Sequence, residues 1–223
     1  MQKVPASALT VTPEGLASAL SQCSHLIFDL GRVLVPIDQQ ATSRAFARLG
    51  ASGLEDIQGD YLKLEILHGY ESGRFSTSEF LQALRVFVPG PVPEEALRDA
   101  WCAMLGRMPA AEVSLLQRLR RKHRVLMLSN TNELHMQLLQ RFLSEDIPGT
   151  WLHDLFDALY LSFQMGALKP SPDIYRYVLT QERICPGQAL FLDDREENVE
   201  AARAEGIPSL HFLPGMTVTE LFG

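Results

Sequence analysis

Five short apolar runs constrain this chain more than any other feature. They lie at residues 25–30, 125–129, 158–162, 189–193 and 209–212, bounded by turn residues and too short for helices. Most lack the polar alternation of a half-exposed strand, so they read as strands of a parallel sheet buried on both faces. Between the last four lie helical stretches at 133–143, 172–180 and 196–205, the last closed by Gly206 and Pro208. Strand, helix, strand repeated in this way implies right-handed crossovers and an α/β, Rossmann-like, doubly wound parallel sheet.

The stretch after the first strand breaks the alternation. From Pro36 to about residue 107 no strand is expected, and apolar residues recur at helical spacing over 39–49, 54–68, 76–88 and 94–104. Ser76-Thr-Ser-Glu79 has the form of a capping box opening the third of these. The segment reads as a small helical insert. A helix over 110–123, with Val113, Leu115, Leu116 and Leu119 on one side, then returns the chain to the sheet.

Composition narrows the class. Of 223 residues, 46% are hydrophobic and 21% charged, which supports a real core, and the net charge of −7 comes with no basic stripe for nucleic acid. Cys23, Cys102 and Cys185 are odd in number and far apart, which argues against a disulfide framework or a structural zinc site and fits a reducing compartment. Residues 1–24 hold no apolar block of signal-peptide length, and no run approaches the roughly 18 apolar residues of a membrane span. The expectation is a cytoplasmic monomer or homodimer.

In an open parallel sheet, ligands bind beyond the carboxyl ends of the strands. Here those ends read Phe28-Asp29-Leu30-Gly31, Leu128-Ser129-Asn130 and Leu192-Asp193-Asp194, and the loop after the third strand carries Lys169-Pro170. A carboxylate at the end of a buried strand is costly unless paired or bound to a cation. Mg²⁺ takes oxygen ligands, usually one or two carboxylates with water and substrate phosphate, which matches Asp29, Asp194 and a backbone carbonyl near Gly31. Lys169 would add a fixed positive charge, and Ser129 with the Asn130 amide would donate to phosphate oxygens. A carboxylate held against a metal-bound phosphorus is a competent nucleophile. Taken singly, each residue also has a structural reading: Ser129 as a turn or cap, Lys169 as an exposed residue, Asp193-Asp194 as a helix N-cap. There is no P-loop pattern.

Leu26-Ile-Phe-Asp29-Leu-Gly31-Arg-Val-Leu-Val35, Val125-Leu-Met-Leu-Ser129-Asn-Thr-Asn132, Lys169-Pro-Ser-Pro-Asp173-Ile-Tyr175 and Leu190-Phe-Leu-Asp193-Asp194-Arg-Glu-Glu-Asn198 resemble, in order and spacing, the four motifs of the haloacid dehalogenase superfamily. The resemblance implies that Asp29 accepts the phosphoryl group, Ser129 binds it, Lys169 neutralises both, Asp194 ligates magnesium with Asp29 and Gly31, and Asp193 supports them. Asn198 would hold Asp194 or a metal-bound water. It also implies a helical cap at 36–106 inserted into a discontinuous core of 1–35 and 107–223. The wording is similar to helical-cap phosphatases that act on sugar 1-phosphates, so the expected activity is Mg-dependent hydrolysis of a small phosphate ester through an aspartyl phosphate. The alternatives are metal-independent 2-haloacid dehalogenation and a catalytically weakened protein that binds a phosphometabolite.

The second motif position departs from most phosphatases of that superfamily. Where they carry an acid–base aspartate two residues after the nucleophile, this chain has Gly31. General acid catalysis is typically worth about 10²–10⁴-fold, so the departure implies a slower enzyme, a replacement acid or a good leaving group such as an anomeric oxygen. Asp38 is either that replacement or a turn or cap residue. Arg32 stands where glycine or asparagine is common and either steers an anion or faces solvent. In the loop Tyr70-Glu71-Ser72-Gly73-Arg74, Glu71 either binds substrate hydroxyls or is solvated, with Gly73 making the turn. His135 is the one histidine expected near the crevice, and its plain reading is a surface residue.

Overall fold

A computed structural model describes residues 9–51 and 61–223, with 61–64 as backbone only. In chain order its elements are α1 (Leu16–Gln22), β1 (His25–Phe28), α2 (Gln39–Arg48), α3 (Tyr61–Glu71), α4 (Thr77–Arg85), α5 (Glu94–Cys102), α6 (Ala110–Leu119), β2 (Arg124–Ser129), α7 (Glu133–Asp146), α8 (Leu152–Leu155), β3 (Ala158–Leu161), α9 (Ser162–Met165), α10 (Pro172–Glu182), β4 (Ala189–Asp193), α11 (Glu196–Ala204), β5 (Ser209–His211) and α12 (Val218–Leu221). All five expected strands form, in one parallel sheet of order β3-β2-β1-β4-β5. The order doubles back on either side of β1, as a doubly wound sheet requires.

The unbroken apolar runs are explained by burial on both sides. Leu26, Phe28, Val125, Met127, Leu190 and Leu192 face one apolar cluster, which α6, α7 and α12 cover. Ile27, Leu126, Leu128, Ala189 and Phe191 face a second cluster, closed by Ile174, Tyr175 and Val178 of α10 and Ala202 of α11. Full burial of each such side chain contributes about 1.5–3 kcal/mol. Because side chains alternate, a one-residue slip would exchange the two sets and misplace every strand end.

Some boundaries differ from expectation. β1 stops at Phe28 because Leu34 and Val35 both donate to the Leu30 carbonyl, which turns the chain. α6 ends at Leu119, four residues early, with Arg120 as its C-cap. The helices α1, α8, α9 and α12 are too short for a periodic signal to have announced them.

Helices α2, α3, α4 and α5 occupy the insert, and the part of the 54–68 expectation before residue 61 lies outside the described residues. They pack on a separate apolar cluster that includes Phe46, Phe80, Leu81, Leu97 and Trp101. Ser76 caps α4 through a capping box with Glu79, as its sequence indicates. Leu134 of α7 reaches into this cluster, so the insert rests on the helix that follows β2. Two connecting segments join it to the sheet, bridged at Ile37 and Leu105 and by hydrogen bonds from Asp38 N to Met104 O and Gly106 N to Pro36 O, both 2.9 Å.

Candidate active site

The register builds the site. Phe28 pairs with Leu192 on β4 and with Met127 on β2, so the next residue, Asp29, comes level with Asp193 and with Leu128. Lys169, in the loop between α9 and α10, enters that gap from the α10 side over the Phe191 ring, 5.5 Å from its centroid. Its Nζ donates to Asp29 Oδ1 at 2.7 Å, Asp193 Oδ2 at 2.6 Å and the Leu128 carbonyl at 2.8 Å. All three of its hydrogens are used. The lysine is buried, contrary to its exposed reading.

Electrostatics follow from this packing. Burial, opposed by Lys169 and helped by Asp193, pushes the Asp29 carboxyl up to about 7. For Lys169, burial alone would lower the pKa, but Asp29 and Asp193 outweigh it and hold the ammonium above its usual value. Burial also raises Asp194, with Asp193 adding to the rise and Arg32 opposing it. Lys169 and the half-exposed Arg32, 3.5 Å from Asp194, thus stand against three carboxylates, and the excess negative charge suits a cation.

The donor set fits a hard divalent ion. Asp29, Asp193 and Asp194 each bring an oxygen, all within 4.8 Å of one another. Asp193 is already satisfied: Lys169, the Arg195 N–H at 2.9 Å and Asn198 Nδ2 at 2.9 and 3.0 Å engage its two oxygens. That leaves Asp29 and Asp194 as the ligands to offer. In the turn after β1 the backbone bonds run from Arg32 N to Val35 O and from Val35 N to Leu30 O, and neither uses Gly31 O. Asn198 Oδ1 is buried without a hydrogen-bond partner among the described residues, as an acceptor awaiting a water would be.

Asn198, Asn130 and His135 make contacts that their sequence roles did not suggest, while Ser129 and Asp38 stand where one of their sequence readings put them. Asn198 binds Asp193, not Asp194, because one turn of α11 returns its amide to the strand end. The Asn130 side chain closes two hydrogen bonds with the Lys169 backbone, at 2.9 and 2.8 Å, and so positions the lysine. Ser129 lies buried at the end of β2. Asp38 is the N-cap of α2, accepting from Gln40 N and Ala41 N and from Arg44 at 2.6 Å, and the Arg44 hydrogen bond holds its carboxyl below the usual range. A proton donor it is not. Arg32 has φ 60°, the left-handed region that glycine and asparagine enter most readily, and its Nη1 lies 3.5 Å from Asp194 Oδ2. His135 is buried, contrary to its surface reading. It stacks on Trp101 with ring centroids 5.3 Å apart, and burial lowers its pKa to about 4.

Three supporting residues carried no assigned role in the sequence reading. Tyr175, inside the third motif, donates to the Asn198 carbonyl at 2.8 Å. Ser162, just past β3, accepts from Thr131 N at 2.9 Å and donates to the Glu71 carbonyl at 2.6 Å, tying the insert to the loop after β2. Glu71 itself is half-buried, with the charge of Arg195 acting on it. Ser162 and Thr131 gave no signal beyond being polar at strand ends.

A model of the haloacid dehalogenase-like hydrolases matches residues 25–206. The chain belongs to the haloacid dehalogenase-like hydrolases. This hydrolase is 30% identical over 184 residues to a D-ribitol-5-phosphate phosphatase of Bacteroides thetaiotaomicron, covering 82% of this chain and 88% of that one. A solved haloacid dehalogenase family enzyme from the same organism, in complex with magnesium and inorganic phosphate, shares 29% identity with a TM-score of 0.80 over 90% of this chain and 100% of the other. A predicted family hydrolase from Porphyromonas gingivalis shares 30% identity with a TM-score of 0.78, over 87% and 93% of the two chains. Within its family this hydrolase is a phosphatase. Among the described residues no helix is long and apolar enough to cross a membrane.

Proposed function

We propose that the enzyme hydrolyses a small phosphorylated metabolite, a sugar or sugar-alcohol phosphate, in a magnesium-dependent reaction through a phosphoaspartyl intermediate on Asp29. The observation that carries this reading is the triple contact of Lys169, which fixes Asp29 level with Asp193 while Asp194 stands within ligand reach. In this reading the Asp29 carboxylate attacks phosphorus, and Lys169 keeps that carboxylate oriented and offsets its charge. Ser129 and the Asn130 backbone N–H donate to the phosphoryl oxygens. Asp29, Asp194 and the Gly31 carbonyl hold magnesium, which when bound neutralises charge building on the phosphoryl group. Asn198 and Tyr175 steady Asp193 and so the lysine. The helices of 36–106 act as a cap that excludes water from the reacting centre.

The magnesium and phosphate bound by one related structure, and the sugar-alcohol phosphate named for one relative, support the choice of metal and substrate class. The substrate would be a free cytoplasmic metabolite. The test is phosphate release by purified protein from a panel of phosphorylated sugars and sugar alcohols, with magnesium and with EDTA. Release that EDTA abolishes is expected. Halide release from 2-haloacids that EDTA leaves untouched would favour dehalogenation instead.

A further inference from the structure

Gly31 leaves the site without the proton donor that an alkoxide leaving group needs. A Cβ at position 31 would sit 3.2 Å from Ile37 Cγ1, so a side chain there would press on the Ile37 side chain. Other acids near the strand ends are committed. Asp38 caps α2 and pairs with Arg44, Asp193 is saturated, and Asp29 and Asp194 belong to the proposed nucleophile and metal site. His135 is closed off beneath Trp101.

The insert brings one more carboxyl to this edge. Glu71 ends α3, and its loop is pinned to the sheet by two contacts. Ser162 Oγ donates to the Glu71 carbonyl at 2.6 Å and accepts from Thr131 N, two residues beyond Ser129. Gly73, at φ +72°, passes so close to the start of α9 that a Cβ would lie 2.1 Å from the Phe163 carbonyl oxygen. Both the left-handed turn and this approach require glycine. The charge acting on the Glu71 carboxyl is that of Arg195, the N-cap of α11 and next in sequence to Asp194. The pinned loop therefore presents Glu71 at the rim where the metal-ligand strand ends.

We propose that Glu71, carried by the helical insert, is the general acid and base that position 31 does not supply. This rests on the phosphatase reading above. In the first step the Asp29 oxygen bonds to phosphorus, the bond from phosphorus to the ester oxygen breaks, and that oxygen takes the Glu71 proton and leaves as an alcohol. In the second, Glu71 takes a proton from water, whose oxygen bonds to phosphorus as the bond to Asp29 breaks. Phosphate leaves and both residues return to their starting protonation. Burial raises the Glu71 carboxyl to about 7 against the opposing charge of Arg195, which suits proton exchange near neutral pH. Of the elements packed on α3, α9 (Ser-Phe-Gln-Met) carries no titratable group, and α4 carries Glu79, held by Ser76, and Arg85, which donates to the Val92 carbonyl. On its own segment Arg74 pairs with Glu65 at 3.7 Å, and His68 is exposed one turn earlier.

The test compares two esters with magnesium present: p-nitrophenyl phosphate, whose leaving group needs no proton, and ribitol 5-phosphate or, failing it, the fastest alkyl ester of the panel. Glu71→Gln is expected to lose about 10²–10⁴-fold in kcat on the alkyl ester, while the pre-steady-state burst of nitrophenolate from the aryl ester, which reports the first step alone and an intact fold, keeps its rate within about tenfold. The wild-type fall in alkyl-ester kcat as pH rises through about 7 should vanish in the variant. A burst rate that falls as far as the alkyl-ester kcat, or no loss in either, would overturn this role and leave the phosphatase reading standing. Failure of the wild type on every ester would overturn both.

Discussion

Lys169→Met probes most sharply how the site is held. The lysine side chain is 1% exposed and its ammonium supplies three donors, two of them to buried carboxylates. Methionine roughly keeps the volume and removes every donor. Breaking a buried ion pair from one side costs about 3–5 kcal/mol, because the remaining charge is left uncompensated. Two carboxylates lose the same cation here, so a loss near the top of that range, about 5 kcal/mol, is expected at about pH 8 in EDTA. The pH dependence has a definite sign. Asp29 already titrates at about 7 with Lys169 present, and without it the folded value of Asp29 rises further above the unfolded one. A raised carboxylate is penalised in full above its folded pKa and not at all below its unfolded pKa, so the loss should shrink to less than about half on acidification to about pH 5. Urea unfolding followed by circular dichroism at both pH values measures this. A loss under about 1 kcal/mol at the higher pH, or one that ignores pH, would refute the reasoning.

Two further substitutions test other parts of the account. Arg32→Asn replaces a left-handed arginine by a residue that tolerates φ 60° and should stabilise the fold by about 1 kcal/mol in thermal unfolding. It also removes a half-exposed cation 3.5 Å from Asp194, so calorimetric titration should show magnesium binding tighter by up to about fivefold; weaker binding would mean that Arg32 helps to build the site. Glu182→Gln disrupts a network at the opposite end of the sheet, where a carboxylate only 4% exposed accepts from Arg124 and from the Tyr160 hydroxyl at 2.5 Å and lies 3.5 Å from His25. It should cost about 2–4 kcal/mol in urea while activity per folded molecule stays unchanged, and a matching loss of kcat would argue against the separation of the two ends.

The sheet was legible because its strands are buried on both faces and therefore written as continuous apolar runs, and parallel pairing then forces their polar ends to one edge. Asp29, Lys169, Asp193 and Asp194 were readable together for that reason: each alone has a turn, cap or surface reading, and only their joint occurrence past successive strand ends points to one site. What lay between elements far apart in the chain was not readable. His135 looks like a surface histidine until Trp101, 34 residues earlier in the chain, covers it. The Ser162 link to Glu71 spans 91 residues, and the sequence carries no sign of it. Asn198 goes to Asp193 because of where the first turn of α11 aims its amide, a matter of helix phase more than of residue type. Arg32 is unusual for its slot because the backbone there is left-handed, which a sequence of non-glycine residues conceals.

The central claim is that Asp29 carries the phosphoryl group between the two steps. Acid-quenched single turnover with a phosphorus-32 ester, followed by peptide mapping, tests it most directly. The account predicts label and phosphate mass on the peptide containing Asp29, and none in Asp29→Asn, which should fold normally yet not turn over. Label on another residue, or turnover by the asparagine variant at the wild-type rate, would contradict it.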